Sequence, residues 1–145
     1  MKIIVQRVLS ASVSVDHKII SEIQKGYLLL VGMGATDTAE DVQRLVSAVL
    51  KIRIFPDTEG KMQYSIGETG GEILVVSQFT LLANFAKGNR PSFHDAAKPE
   101  VAKPLFDAFV EGLRVQLESK ISTGVFGADM QVSLCNDGPV TIILE

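Results

Sequence analysis

Residues 27–34, YLLLVGMG, form an apolar run with no charged or amide side chain to mark a wet face. A strand with one face in water alternates apolar and polar residues; an uninterrupted run is the pattern of a strand covered on both sides. Any sheet that contains it must be sandwiched, and the rest of the chain has to supply the cover. Two segments have the spacing to do so. Val42, Leu45, Val46, Val49 and Leu50 recur at i, i+3, i+4, i+7 and i+8, with Thr36, Asp37 and Thr38 available as N-caps, which predicts a helix. Leu105, Phe106, Phe109, Leu113 and Leu117 line one face of a second helix, where Pro104 marks either the start of the regular part or a distinct first turn.

The other apolar stretches read as strands. KIIVQRVLSASVSV alternates around Val13 and Val15, DHK interrupts it, and IISEI resumes before Gly26. IRIF and MQYSI flank the turn PDTEGK, ILVVSQFTLLA is the most strand-like stretch, and MQVSLCN and VTIILE are two strands around Gly138 and Pro139. Many strands adjacent in sequence, with two helices, predict an α+β fold: a curved, largely antiparallel sheet with two main helices packed on it. No repeat, low-complexity tract or Pro/Ser-rich linker divides the chain, so residues 1–145 are expected to form a single domain, and 46% hydrophobic content supplies its core.

Composition narrows the function. Gln6 and Arg7 interrupt the first apolar run too early for a signal-peptide core, and no run approaches membrane-spanning length. A lone cysteine, Cys135, fits a reducing compartment, so the expected location is cytoplasmic. A net charge of −3 gives no global attraction for nucleic acid; DNA and membranes are not expected partners, and any basic footprint must be local. Lys87 and Arg90 in NFAKGNRPSF are its densest candidate.

The chemistry-bearing residues have plain readings too. His17, His94 and Cys135 share no ligand spacing, so no metal is expected. GMGATD lacks the third glycine of a dinucleotide loop and reads as a turn. His94 beside Asp95 suggests a hydrolase built on Ser77 or Thr80, but adjacent residues on an extended segment point opposite ways, which leaves a surface histidine. On a regular strand Gln78 and Thr80 share one face of SQFT, Ser77 and Phe79 the other; that polar strand end is either a solvated face or the edge of a cleft. The Gly138-Pro139 pair is either a plain turn or a cis bond that the fold holds in place.

In combination, VSQFTL at 76–81 and NDGPVT at 136–141 resemble the two signature motifs of the D-aminoacyl-tRNA deacylase family, the D-tyrosyl-tRNA deacylases. QRV near the start, RIF followed by GKM, GGEILVVSQFTL, KGNRPSF and FGADMQVSL are similar to the same family, in the same order, across essentially the whole chain. The resemblance implies a hydrolase that cleaves the ester between a D-amino acid and the terminal adenosine of tRNA, and that also accepts glycyl groups, including glycine mischarged on tRNA-Ala. It implies a homodimer, barrel-like in its sheets, with no cofactor. Gly138 and Pro139 would form a cis gate reaching into the partner subunit's site. Ser77, Gln78, Phe79 and Thr80 would line the adenosine and aminoacyl pocket, Met130 would pack near it, Arg7 would brace the gate, and Lys87 and Arg90 would meet tRNA.

This scheme has a physical rationale. D- and L-aminoacyl groups differ by exchanging hydrogen and side chain at one carbon, so exclusion needs a fixed obstacle where the L side chain would lie. Glycine would pass such an obstacle. Catalysis in the family is attributed to the terminal 2′-hydroxyl of the tRNA, which suits a chain without a convincing triad. The alternatives are an esterase with Thr80 as nucleophile, although no base is visible beside it, and a non-catalytic nucleotide- or RNA-binding module. Phe85 and Ala86 depart from the family pattern, in which a threonine and a basic residue are usual, and Cys135 stands where an aliphatic residue is usual.

Overall fold

The two longest strands lie at opposite ends of the element order and pair with each other. In the computed structural model, which describes residues 1–118 and 120–145, β1 (Lys2–Val15) runs antiparallel to β8 (Gln131–Leu144) from Ile3↔Leu144 to Ser14↔Gln131. The other edge of β1 is shared: β3 (Gly26–Gly32) takes its first half and β2 (Lys18–Ile23) its second, both antiparallel. Beyond β3 the direction changes, because β6 (Glu72–Ser77) joins it in parallel and β7 (Ile121–Thr123) joins β6 in parallel. The three pairings of β1 are the antiparallel part that the sequence predicts. Parallel neighbours need crossover connections, which is where the helices lie. The sheet curls until its ends nearly meet: the Ser21 hydroxyl on β2 donates to the Thr123 carbonyl on β7 at 2.6 Å.

The double cover expected of YLLLVGMG is present. Tyr27, Leu29 and Val31 face a core shared with α1 (Ala39–Lys51) and α3 (Pro99–Gln116), which includes Leu45, Val49, Phe109 and Leu113. Leu28 faces a second cluster inside the curl, with Val8, Val13, Ile23, Leu74 and Val76. Each fully buried side chain of this size contributes about 1.5–3 kcal/mol relative to exposure. The helices cross closely because Gly112 has no side chain; a Cβ there would lie 2.9 Å from a Val46 methyl.

Local chemistry sets the ends of the helices. Thr38 caps α1, its N–H and hydroxyl both donating to the Asp41 carboxylate at 3.1 Å. A short α2 (Ile66–Thr69) takes the place of the end of the MQYSI strand, because the Ser65 N–H and hydroxyl donate to Glu68 and start a helical turn. Only β4 (Phe55–Pro56) and β5 (Met62–Tyr64) remain of that hairpin. α3 starts at Pro99, ahead of Pro104, which sits inside it on the solvent side, where water can take up the carbonyl that loses its donor. Two strand readings change as well. ILVVSQFTLLA is extended only to Ser77 and then tightens into a 3₁₀ turn at Phe79–Leu82, and the segments around Gly138-Pro139 are one strand with register shifts. Among the described residues no helix is long and apolar enough to cross a membrane.

Candidate functional site

Where β6 gives way to the 3₁₀ turn, a cleft of about 580 Å³ opens between the turn, the start of α3 and the segment leading into β8. Its size falls in the range of small-molecule sites. Ser77, Gln78 and Phe79 form one wall and Met130 another, so four residues singled out from sequence meet here. The 3₁₀ turn overturns the two-faced strand geometry of SQFT: Gln78 no longer alternates with its neighbours, and its side-chain amide donates to the Thr80 hydroxyl. Thr80 itself is exposed and does not line the cleft. The floor is apolar, from Val31, Met33, Val76 and Phe106.

Polar groups are few. Lys98 and Asp129 are the charged residues on the wall. Among the described residues no His, Asp, Glu or Lys side chain hydrogen-bonds to the hydroxyl of Ser77 or Thr80, so neither has a general base in place. His94 lies outside the cleft, on the surface. The N–H groups of Phe79 and Thr80 open the 3₁₀ turn and have no backbone acceptor within it. Among the described residues no group of three His, Cys, Asp or Glu side chains converges to hold a metal.

Arg7, Gly138 and Pro139 form a separate constellation on β1 and β8. The Gly138-Pro139 bond is cis, both residues are exposed, and neither lines the cleft of this chain. Arg7 is 7% exposed; its Nε donates to the Asp137 carbonyl at 3.2 Å and lies 3.1 Å from the Asp137 carboxylate, while Nη1 donates to the Ile54 carbonyl. Two acceptors on Asp137 therefore hold the guanidinium against the segment that contains the pair, and the Ile54 carbonyl fixes its other end. Gly138 adopts φ +127°, and a Cβ there would lie 3.1 Å from Arg7 Nη2. Arg7 also faces the buried Tyr27 phenol, which burial raises far above its ordinary range despite the opposing pull of the guanidinium.

Lys87 and Arg90 are exposed in the loop after the 3₁₀ turn, and neither pairs with a carboxylate among the described residues. Sequence reasoning missed Phe93, Lys98 and Phe126, which complete the cleft. Phe126 lies in the quoted FGADMQVSL and Phe93 closes the quoted KGNRPSF, whereas Lys98 arrives with the start of α3, whose approach no local periodicity encodes.

The profile of the family described as D-Tyr-tRNA(Tyr) deacylase matches residues 4–145. A D-aminoacyl-tRNA deacylase of Flavobacterium psychrophilum is 53% identical over 145 residues, which is 100% of this chain and 97% of that protein. The solved structure of a c-Myc DNA Unwinding Element Binding Protein superimposes with a TM-score of 0.95 at 44% identity, over 100% of this chain and 98% of that one. A probable eukaryotic D-amino acid tRNA deacylase shares the fold, with a TM-score of 0.87 at 19% identity over 99% and 97% of the two chains. With the SQFT cleft and the Arg7-braced Gly-Pro segment both in place, these matches make the chain a member of the D-Tyr-tRNA(Tyr) deacylase family of enzymes.

Proposed function

We propose that residues 1–145 act as one domain that hydrolyses the ester of D-aminoacyl-tRNA, releasing free tRNA and the D-amino acid, with glycyl-tRNA also accepted. The supporting observation is the cleft in which Ser77, Gln78, Phe79 and Met130 meet without a base-activated nucleophile. Such a site suits a substrate that brings its own catalytic group, the terminal 2′-hydroxyl, while the backbone N–H of Phe79, at the cleft wall, stabilises the developing oxyanion. Chiral rejection belongs to Gly138 and Pro139, acting from the partner subunit of a homodimer, since in one chain they stand apart from the cleft. The working location is the cytoplasm.

Turnover of D-, L- and glycyl-tRNA charged on the same tRNA, measured side by side, tests this reading. Loss of the D-aminoacyl and glycyl groups with the L-ester spared is expected; equal rates on D and L would refute the gate, and no ester loss would leave a binding module. Sizing at micromolar concentration is expected to show a dimer, and an active monomer would refute the cross-subunit arrangement. The DNA-element binding named for the 44%-identical structure is a second reading, and the net charge of −3 disfavours it, because duplex affinity depends on neutralising phosphates.

A further inference from the structure

Phe85 is 59% exposed, at the start of a loop whose other prominent side chains are the unpaired cations Lys87 and Arg90. The loop is preformed. Asn84 and Ser92 close its base with two backbone hydrogen bonds of 2.8 and 2.9 Å, the Asn84 side chain accepts from the Ala86 N–H at 2.8 Å, and the Gly88 N–H reaches the Phe85 carbonyl at 3.1 Å. Immediately after the closing pair, Phe93 packs edge-on against Phe79 with ring centroids 5.0 Å apart, and both of these rings line the cleft. An aromatic pair at the cleft mouth thus leads to an aromatic and two cations on a closed loop.

Aromatics interleaved with cations are what a surface for unpaired nucleotides requires, since bases stack on the rings and cations neutralise the phosphates. In a chain with net charge −3, such a local patch must supply the attraction that the whole surface lacks. We infer that loop 85–91 is a docking track for the unpaired nucleotides that precede the terminal adenosine of the tRNA, with Phe85 stacking on a base and Lys87 and Arg90 neutralising phosphates. The inference rests on the functional reading above and specifies how the substrate is held outside the cleft. Phe85 stands where the family pattern has a threonine and Ala86 where it has a cation, so the pair exchanges a charge for a stacking ring.

The test compares D-aminoacyl-tRNA with D-aminoacyl-adenosine, which fills the cleft but cannot reach the loop. Phe85→Ala is expected to lower kcat/KM on the tRNA roughly 5- to 100-fold, as loss of one stacked base does, and to leave the adenosine ester unaffected. Phe85→Tyr is expected to restore it. The double substitution Lys87→Gln with Arg90→Gln is expected to flatten the dependence of log(kcat/KM) on log salt by roughly 1.4, from about 0.7 per phosphate contact on a single strand. Equal losses on both substrates, no loss on either, or a Phe85→Ala protein that sizes differently because the loop packs on a second copy would each overturn the inference. A wild-type protein inert on both esters would instead remove the functional reading itself.

Discussion

Arg7 and Asp137 are joined twice, through the Asp137 carbonyl at 3.2 Å and its carboxylate at 3.1 Å, although 130 positions separate them. The guanidinium ties the middle of β1 to the strand that carries the Gly-Pro pair, and its third bond, to the Ile54 carbonyl, anchors it to the connection between α1 and β4.

Replacing Arg7 is expected to act on both stability and selectivity. Arg7→Ala leaves the carbonyls of Ile54 and Asp137 without their donor at a largely buried site, a cost of about 2–4 kcal/mol, visible as a lower midpoint in urea. Arg7→Lys keeps the charge but loses the planar fork, so it is expected to remain folded while its D-over-L ratio falls about tenfold, the equivalent of 1.4 kcal/mol. A lysine variant with an unchanged ratio would show that Arg7 serves folding alone. The bond to Ile54, outside the Gly-Pro segment, is why folding is not spared.

Gly138 is expected to tolerate no side chain. At φ +127° a Cβ would lie 2.8 Å from a Val140 methyl and would crowd Arg7 Nη2, so Gly138→Ala is expected to cost about 2–3 kcal/mol. Gly60 is the control, because its φ is +81° but nothing lies within 4 Å of the added carbon; Gly60→Ala is expected to cost about 1 kcal/mol. Urea midpoints of the two variants, compared with the parent, check the order.

Thr80→Ala is expected to keep kcat/KM on D-aminoacyl-tRNA within about tenfold of the parent, the scale of losing one hydrogen bond. The Thr80 hydroxyl is exposed and receives the Gln78 amide, with no base beside it. A tRNA ending in 2′-deoxyadenosine, shown to bind equally well, is expected to react orders of magnitude more slowly. The opposite pair of results would make Thr80 the nucleophile.

Acid is expected to loosen two helix starts. The Asp41 carboxyl is held below its ordinary value first by the Thr38 backbone N–H and then by Arg44, and that of Glu68 first by the Ser65 hydroxyl. Groups with lowered values in the folded state contribute stability that is present above their ordinary pKa, about 4, and is lost as the pH falls through that range. Protection factors for amide exchange in α1 and α2, taken against the intrinsic rate at each pH, are expected to fall below about pH 4, less so in Asp41→Asn and Glu68→Gln. The buried Tyr27 phenol behaves oppositely: its value is raised, so its contribution is present below about pH 10 and lost as the pH rises further, a loss that Tyr27→Phe should diminish.

Periodicity made β1 and α1 legible, because each buries a face whose repeat is written in its own residues, and β3 is legible as an uninterrupted apolar run covered on both sides. It could not show where β6 ends: TLL looks the same to a pattern whether extended or wound, and the contact of Phe79 with Phe93 across the turn comes from residues distant in the pattern. Nor could it show that β3 and β6 pair in parallel, which depends on how the intervening helices cross the sheet. At the site, Ser77, Gln78, Phe79 and Met130 could be named from their motifs, whereas Lys98 joins them only through the fold.

The β1–β8 ladder also has a consequence for how the protein is made. While the chain grows on a ribosome, β1 emerges well before β8, and the edge that β8 will cover waits for it. At about 5–20 residues per second, the roughly 115 residues between Val15 and Gln131 take roughly 6–23 s. Throughout that interval a row of backbone donors and acceptors stands open to any passing strand, including the same strand on a neighbouring nascent chain. The speed of translation therefore sets how long this fold is at risk before it can close on itself.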